Sequence, residues 1–320
     1  MLRTILALFI AGASLAAGPA AAQAGKPVHL IVAFSPGGPV DFVARVLSQQ
    51  LGKELGQTVI VDNKPGANGA IGGEFVAKSA PDGTTLWLTS VGAIAINPAL
   101  YDKLSYDPQR DFAPVSLVVN NVEVLVVNPA NPAQTAAEFV AATKQKTAPT
   151  PMASSGIGSI PHLALELMAG ASGANVLHVP YKGAAPAITD VIGGQVAAFF
   201  GDVPGLMGHI KGGKLKPIGI AAAKRHPLLP EVKTFAELGI PGVDSDNWYA
   251  LFAAAKTPRA EIDRLNHAVR RALASDAVRN KLIASGADPA PSSPDELTAL
   301  LLRDTAKWAR VIRDKKITAE

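Results

Sequence analysis

The stretch AFSPGGPVDFVARVLSQQL, residues 33–51, changes hydrophobic period across two glycines flanked by prolines. Before it, Val28, Leu30, Ile31, Val32 and Phe34 form the short apolar run of a buried strand. After it, Val43, Ala44, Leu47, Leu51 and Leu55 recur at helical spacing. A strand therefore feeds a helix through Pro36-Gly37-Gly38-Pro39. Glycine lets backbone approach a ligand closely, and a helix start offers unpaired N–H groups at the positive end of its dipole. Phe34, Pro36, Gly37, Gly38 and Asp41 are thus candidates to hold an anion. The same residues also fit a tight turn in which Asp41 caps the helix and pairs with Arg45.

The junction repeats along the chain, which makes the fold class α/β. Strand, helix, strand (58–62), helix (69–78) and strand (85–90) make a βαβαβ unit with a right-handed parallel sheet. A β-rich passage, 113–128, leads to a second block. This has a strand at 152–153, a loop at 154–161, a helix to 168, strands at 176–179 and 197–200 around a helix at 185–192, and a further strand at 216–222. Trp248–Ala255 and helices around 259–274, 277–284 and 295–313 finish the chain. Two similar blocks predict two lobes, with passages at 113–128 and 216–224 crossing between them and the last helices returning to the first lobe. The expected division is a leader at 1–24, the first lobe at 25–124, the second at 125–222 and the return at 223–320.

The first 24 residues have a different character. Arg3, an apolar stretch from Ile5 to Leu15 and small residues ending in Ala22-Gln23-Ala24 make a secretory signal cleaved after Ala24. The apolar part is short for a membrane span and is interrupted by Gly12, Gly18 and Pro19. Zero cysteines exclude a disulfide framework, a thiol nucleophile, a zinc-thiolate site and a lipid-modified cysteine, so the product is released into a periplasm. Losing Arg3 lowers the formal charge only from +4 to +3, and aromatics at 5% do not interleave with basic runs, which argues against nucleic acid.

Ligands of parallel α/β sheets sit beyond the carboxyl ends of the strands. Neither the first glycine loop nor Pro65–Gly73 has dinucleotide or P-loop spacing, so no cofactor is expected. The loop Ala153–His162 gathers Ser154, Ser155, Ser159, Gly158 and His162 at a strand-to-helix junction. Hydroxyls and helix-start amides can replace the water lost by a buried carboxylate. Ser159 also fits a helix cap, and His162 a packing role. A serine hydrolase using Ser154, Ser155 and His162 is the alternative in another class, but Met152 or Ala153 stands where a nucleophile elbow needs glycine. The six histidines lack metal-ligand spacing, and no metal is expected. Tyr181 and Lys182 supply a hydroxyl, an aromatic wall and a cation for an acidic ligand, or a solvated lysine. Asp202 fits either a ligand amine or hydroxyl, or the cap of the next turn.

Six phrases resemble one family: FSPGGPVD at 34–41, NKPGANG at 63–69, PDGTTL at 81–86, ASSGIGSIPH at 153–162, VPYKG at 179–183 and WYALFA at 248–253. They run in order over the mature chain as in the Bug family, the periplasmic substrate-binding proteins of tripartite tricarboxylate transporters. Ala250 and Lys256 stand where glycine is common, outside the loops. The resemblance implies a two-lobed, Venus-flytrap periplasmic binding protein with two crossings. Its grip on a carboxylate would come from the loops matching 34–41 and 154–162. Variable loops matching 66–69, 89–92 and 181–183 bring in Ala67, Ser90, Tyr181 and Lys182. The expected function is a monomeric solute-binding protein, not an enzyme, that delivers a small organic acid to membrane permease subunits. A solute sensor signalling to a receptor is the further alternative.

Overall fold

The computed structural model describes residues 25–318, so the expected signal and its cleavage site lie outside the described residues. The described residues form two mixed sheets of six and five strands.

The first lobe opens with β1 (Val28–Val32), α1 (Pro39–Leu55), β2 (Val59–Asn63), α2 (Ala70–Ala77) and β3 (Thr85–Ser90). β1 pairs in parallel with both β2 and β3, as the βαβαβ pattern predicts. α1 begins on Pro39, whose fixed φ suits a first helical turn and whose missing N–H would have had no partner there. It ends at Gly56 in the left-handed region, with φ 66°. After β3 the chain makes a π-helical turn (Gly92–Ile96), buried throughout, then the short α3 (Asn97–Leu100) and β4 (Phe112–Asn121). No sequence pattern had pointed to that turn.

β5 (Glu123–Val127) already belongs to the second sheet. There follow α4 (Ala136–Lys144), β6 (Thr150–Ser154), α5 (Ile160–Ser172), β7 (Val176–Pro180), α6 (Ala184–Ile192), β8 (Ala198–Asp202), α7 (Val203–Lys211) and β9 (Lys216–Ile220). β10 (Asn247–Ala254) re-enters the first sheet, followed by α8 (Arg259–Ala274), α9 (Asp276–Ser285), β11 (Asp288–Pro289) and α10 (Pro294–Lys315).

The sheet orders are β2-β1-β3-β10-β4-β11 and β7-β6-β8-β5-β9. Each lobe is thus a parallel trio extended by an antiparallel strand that has just arrived from the other lobe, β10 beside β3 and β5 beside β8. The crossings are tighter than 113–128 and 216–224. The first is the single residue Val122 between β4 and β5. β9 is a full strand of the second sheet, paired with β5, and the second crossing comes just before Asn247. Ser245 N–H bonds to Ala221 and Ala221 N–H to Glu123, which ties the two crossings together.

Both faces of each sheet are covered. On the first lobe, Leu47 of α1 and Leu265 of α8 join Leu30 and Leu251 in one core, and on the other face α2 lies over Trp87 and Phe252 in the core that Trp308 of α10 completes. α10 starts with a capping box between Ser293 and Glu296. The C-terminal helices therefore complete the first lobe.

Candidate functional site

The strand-to-helix loops of both lobes face one another across the sheet ends, and a narrow cavity lies between them. Its lobe-one wall is Phe34, Gly38, Pro39 and Val40, with Ser90 at the end of β3. Ser155, Ser159, Ile160 and Pro161 come from the β6–α5 loop, Ala184 and Ile188 from α6, and Gly205 and Leu206 from α7. The sheet ends contribute Phe199, Gly201, Asp202, Asn247 and Tyr249. The first turns of α1, α5, α6 and α7 all reach this space, so four positive helix ends converge on it. Asp202 is the one charged side chain among these lining residues.

The lobes touch at the rim. Ser35 donates its hydroxyl hydrogen to the Lys182 carbonyl, and Pro39 sits so close to Gly205 that a Cβ there would lie 2.9 Å from it. A Cβ on Gly158 would collide with the Leu100 side chain.

Asp41 shapes the first loop from beneath. Its carboxylate, 3% exposed, accepts Gly37 N–H at 2.9 Å, Arg45 Nε at 2.9 Å and Asn63 Nδ2 at 3.0 Å. Burial acts to raise its pKa, but the bonds from Arg45, Gly37 and Asn63 outweigh it and hold the carboxyl below its usual value. Asn63 also donates to the Phe34 carbonyl at 3.1 Å, fixing both ends of the loop. Asp41 is thus a positioning residue, while Pro36 and Gly37 stand exposed outside the cavity lining.

The serine loop divides its labour. Ser155 lines the cavity, and its hydroxyl has no partner among the described residues. Ser159 lines it too but is also the cap of α5, accepting His162 N–H at 3.3 Å and donating to Gly156 O at 2.7 Å. Ser154 is fully buried, 2.6 Å from His178 Nε2, and its Oγ accepts Gly156 N–H. His162 Nδ1 accepts Gly158 N–H at 3.1 Å, and its ring stacks on His178 with centroids 3.8 Å apart. Burial, helped by His178, pushes the pKa of His162 down to about 3, and burial brings that of His178 down to about 4. Both rings are neutral supports beneath the loop. The trio Ser154, Ser155 and His162 is not assembled as nucleophile and base, because the acceptor nitrogen of His162 is taken by backbone.

The remaining candidates are dispersed. Ala67 is exposed, and its neighbour Asn68 donates to Asn97 Oδ1 at 2.8 Å. Tyr181 donates its hydroxyl to Asp190, and Lys182 is exposed, offering the rim its carbonyl rather than its amine. Asp202 does reach the cavity. It accepts both Asn247 Nδ2, at 2.9 and 3.1 Å, and the Tyr249 hydroxyl. Although it is the N-cap residue of α7, its side chain makes no capping bond. Burial pushes its pKa up to about 6 against the bonds from Tyr249 and Asn247. Glu123 lies directly opposite it in the β5–β8 pairing, wholly buried. Burial first, and the Asp202 charge second, push the Glu123 carboxyl far up, so it stays protonated.

Asn247, Tyr249 and Glu123 were not among the candidates from sequence. The arrival of β10 beside β3 sets Tyr249 opposite Ser90, a non-local pairing with no local signal.

Residues 43–317 match the profile of the tripartite tricarboxylate transporter family receptor. The chain belongs to this family. It is 37% identical to BugT of Bordetella pertussis over 316 residues, 98% of this chain and 97% of that one. Among solved structures it is similar to Rpa4515 of R. palustris with adipate, at TM-score 0.89 and 31% identity over 92% of this chain and 99% of that one. It is similar as well to MatC of Rhodopseudomonas palustris with bound malate, at TM-score 0.85 and 32% identity over 90% and 99%. The Bug-family resemblance and the two-lobed binding-protein fold are borne out. Among the described residues of this receptor, no helix is long and apolar enough to cross a membrane.

Proposed function

We propose that this receptor captures a small organic acid in the cleft between its lobes and presents it to the permease subunits of a tripartite tricarboxylate-type transporter. The observation that carries this reading is the convergence of the α1, α5, α6 and α7 starts, with the Ser155 hydroxyl among them, on one interlobe cavity. A carboxylate there is met by amides, hydroxyls and helix dipoles rather than by a side-chain cation. The two relatives solved with adipate and malate support the ligand class. The leader at 1–24 would place the receptor in the periplasm. The ligand would be returned unchanged, since the buried Ser154 and the backbone-bound His162 offer no activated nucleophile. A thermal-shift screen of small acids tests the reading. At a hundredfold excess over Kd the folded state gains about 2.7 kcal/mol. Acids should raise the melting temperature and their amides should not. Equal shifts from both would refute the carboxylate grip.

A further inference from the structure

The cleft has positive helix ends, and at one of them Asp202, the N-cap residue of α7, does not spend its carboxylate on a capping bond. Asp202 is 5% exposed, lines the cavity and has no ion-pair partner among the described residues. Its donors, Asn247, Tyr249 and the protonated Glu123 behind it, are all neutral. One Asn247 amide is shared between both carboxylate oxygens, and bonds from neutral donors leave the negative charge itself facing the cavity. A buried charge left without a counter-charge is costly.

A second, independent group points to the same place. Ser90 is 8% exposed, lines the cavity, and its hydroxyl has no hydrogen-bond partner among the described residues. It sits opposite Tyr249 in the β3–β10 pairing, and the Tyr249 hydroxyl is the one that reaches Asp202. Behind Asp202 stands Glu123, with both carboxyl oxygens buried and without a well-formed hydrogen bond. A second carboxylate on the ligand would meet the Asp202 charge here, with no side-chain cation among the lining residues to offset it.

We infer that the ligand is an amino-carboxylic acid, a zwitterion whose ammonium is held by the Asp202 carboxylate and the Ser90 hydroxyl while its carboxylate meets the helix starts. The inference rests on the carboxylate reading and narrows it. The receptor would then prefer a net-neutral zwitterion, unlike the relatives solved with the diacids adipate and malate.

Calorimetric titration of the receptor with matched ligand sets tests this. Each set holds an amino acid, the acid lacking the amine, the hydroxy acid and the diacid, with the amine placed progressively farther from the carboxylate. In at least one set the amino acid should bind about tenfold or more tightly than its three counterparts, as expected for a charge-assisted contact. Asp202→Asn should bring that ratio close to unity, and Ser90→Ala should lower it in part. The inference is overturned if a diacid, a hydroxy acid or an unsubstituted acid binds most tightly in every set, or if the ratio survives both substitutions. Should the carboxyl amide of the tightest ligand bind as well as the acid, or no acid bind at all, the carboxylate reading itself falls.

Discussion

Acidification should weaken this receptor through the stacked histidines under the serine loop, and His162 allows the size to be worked out. Its folded pKa, about 3, lies below the ordinary 6.5 because burial and His178 oppose the charged form. A depressed folded pKa gives stability that is complete above 6.5 and is lost as pH falls toward about 3, since the unfolded chain takes the proton first. Near pH 5 the loss from His162 alone is about 1.5 units at 1.36 kcal/mol each, or about 2 kcal/mol. Asp202 works in the other direction. Its folded pKa is raised to about 6, so it adds stability as pH falls below that value and partly masks the histidine. The comparison must therefore be made against His162→Asn, whose side-chain oxygen can still accept the Gly158 N–H while carrying no titrating ring. Urea unfolding of both proteins at about pH 7.5 and about pH 5 should show wild type losing about 2 kcal/mol more than the variant. Equal losses would refute the assignment of a buried neutral His162.

Ser155→Ala should cost about 1–3 kcal/mol of acid binding, as for a hydrogen bond to a charged group, and leave the ligand-free melting temperature unchanged. Ser159→Ala should weaken binding too, but because Ser159 caps α5 it should also lower ligand-free stability by about 1 kcal/mol. Melting curves with and without a bound acid separate the two. Gly205→Ala puts a methyl group 2.9 Å from Pro39 across the cleft, so it should hold the lobes apart. Small-angle scattering with a saturating acid should give a larger radius of gyration than wild type, and an equal radius would show that the Pro39 contact does not limit closure. Asp41→Ala should destabilise the fold by about 2–3 kcal/mol, since a buried carboxylate holding three donors is lost. A urea midpoint within error of wild type would contradict its place as the organiser of the glycine loop.

Much of this was legible because it is local. The parallel trios follow from apolar runs and helical spacing, and α1 follows from Pro39 after a glycine pair. The Bug-family phrases fall on the loops that line the cleft, at Phe34, Gly38, Ser155 and Ser159. Non-local features were not legible. The crossing could not be narrowed to Val122, because β4 and β5 read as one continuous β-rich passage and only pairing with β10 and β8 separates them. Tyr181 and Lys182 sit at the right junction, but the Tyr181 hydroxyl is turned to Asp190 and Lys182 meets Ser35 of the opposite lobe through its main-chain carbonyl. Asp202 showed its acid but not its company, since Asn247 and Tyr249 arrive from 45 and 47 residues farther along the chain.

The strand exchange between lobes also orders the folding of the chain. β3 ends its lobe with an open, apolar edge until β10 pairs with it and brings Phe252 beside Trp87. The second lobe has all its strands by Ile220, so it can be finished while the first is still incomplete. The first lobe must wait for the C-terminal quarter of the chain, with the slow, long-range pairing and exposed strand edge that invite misassembly. A chain cut short before Asn247 would keep an intact second lobe attached to an unpaired, sticky half-sheet.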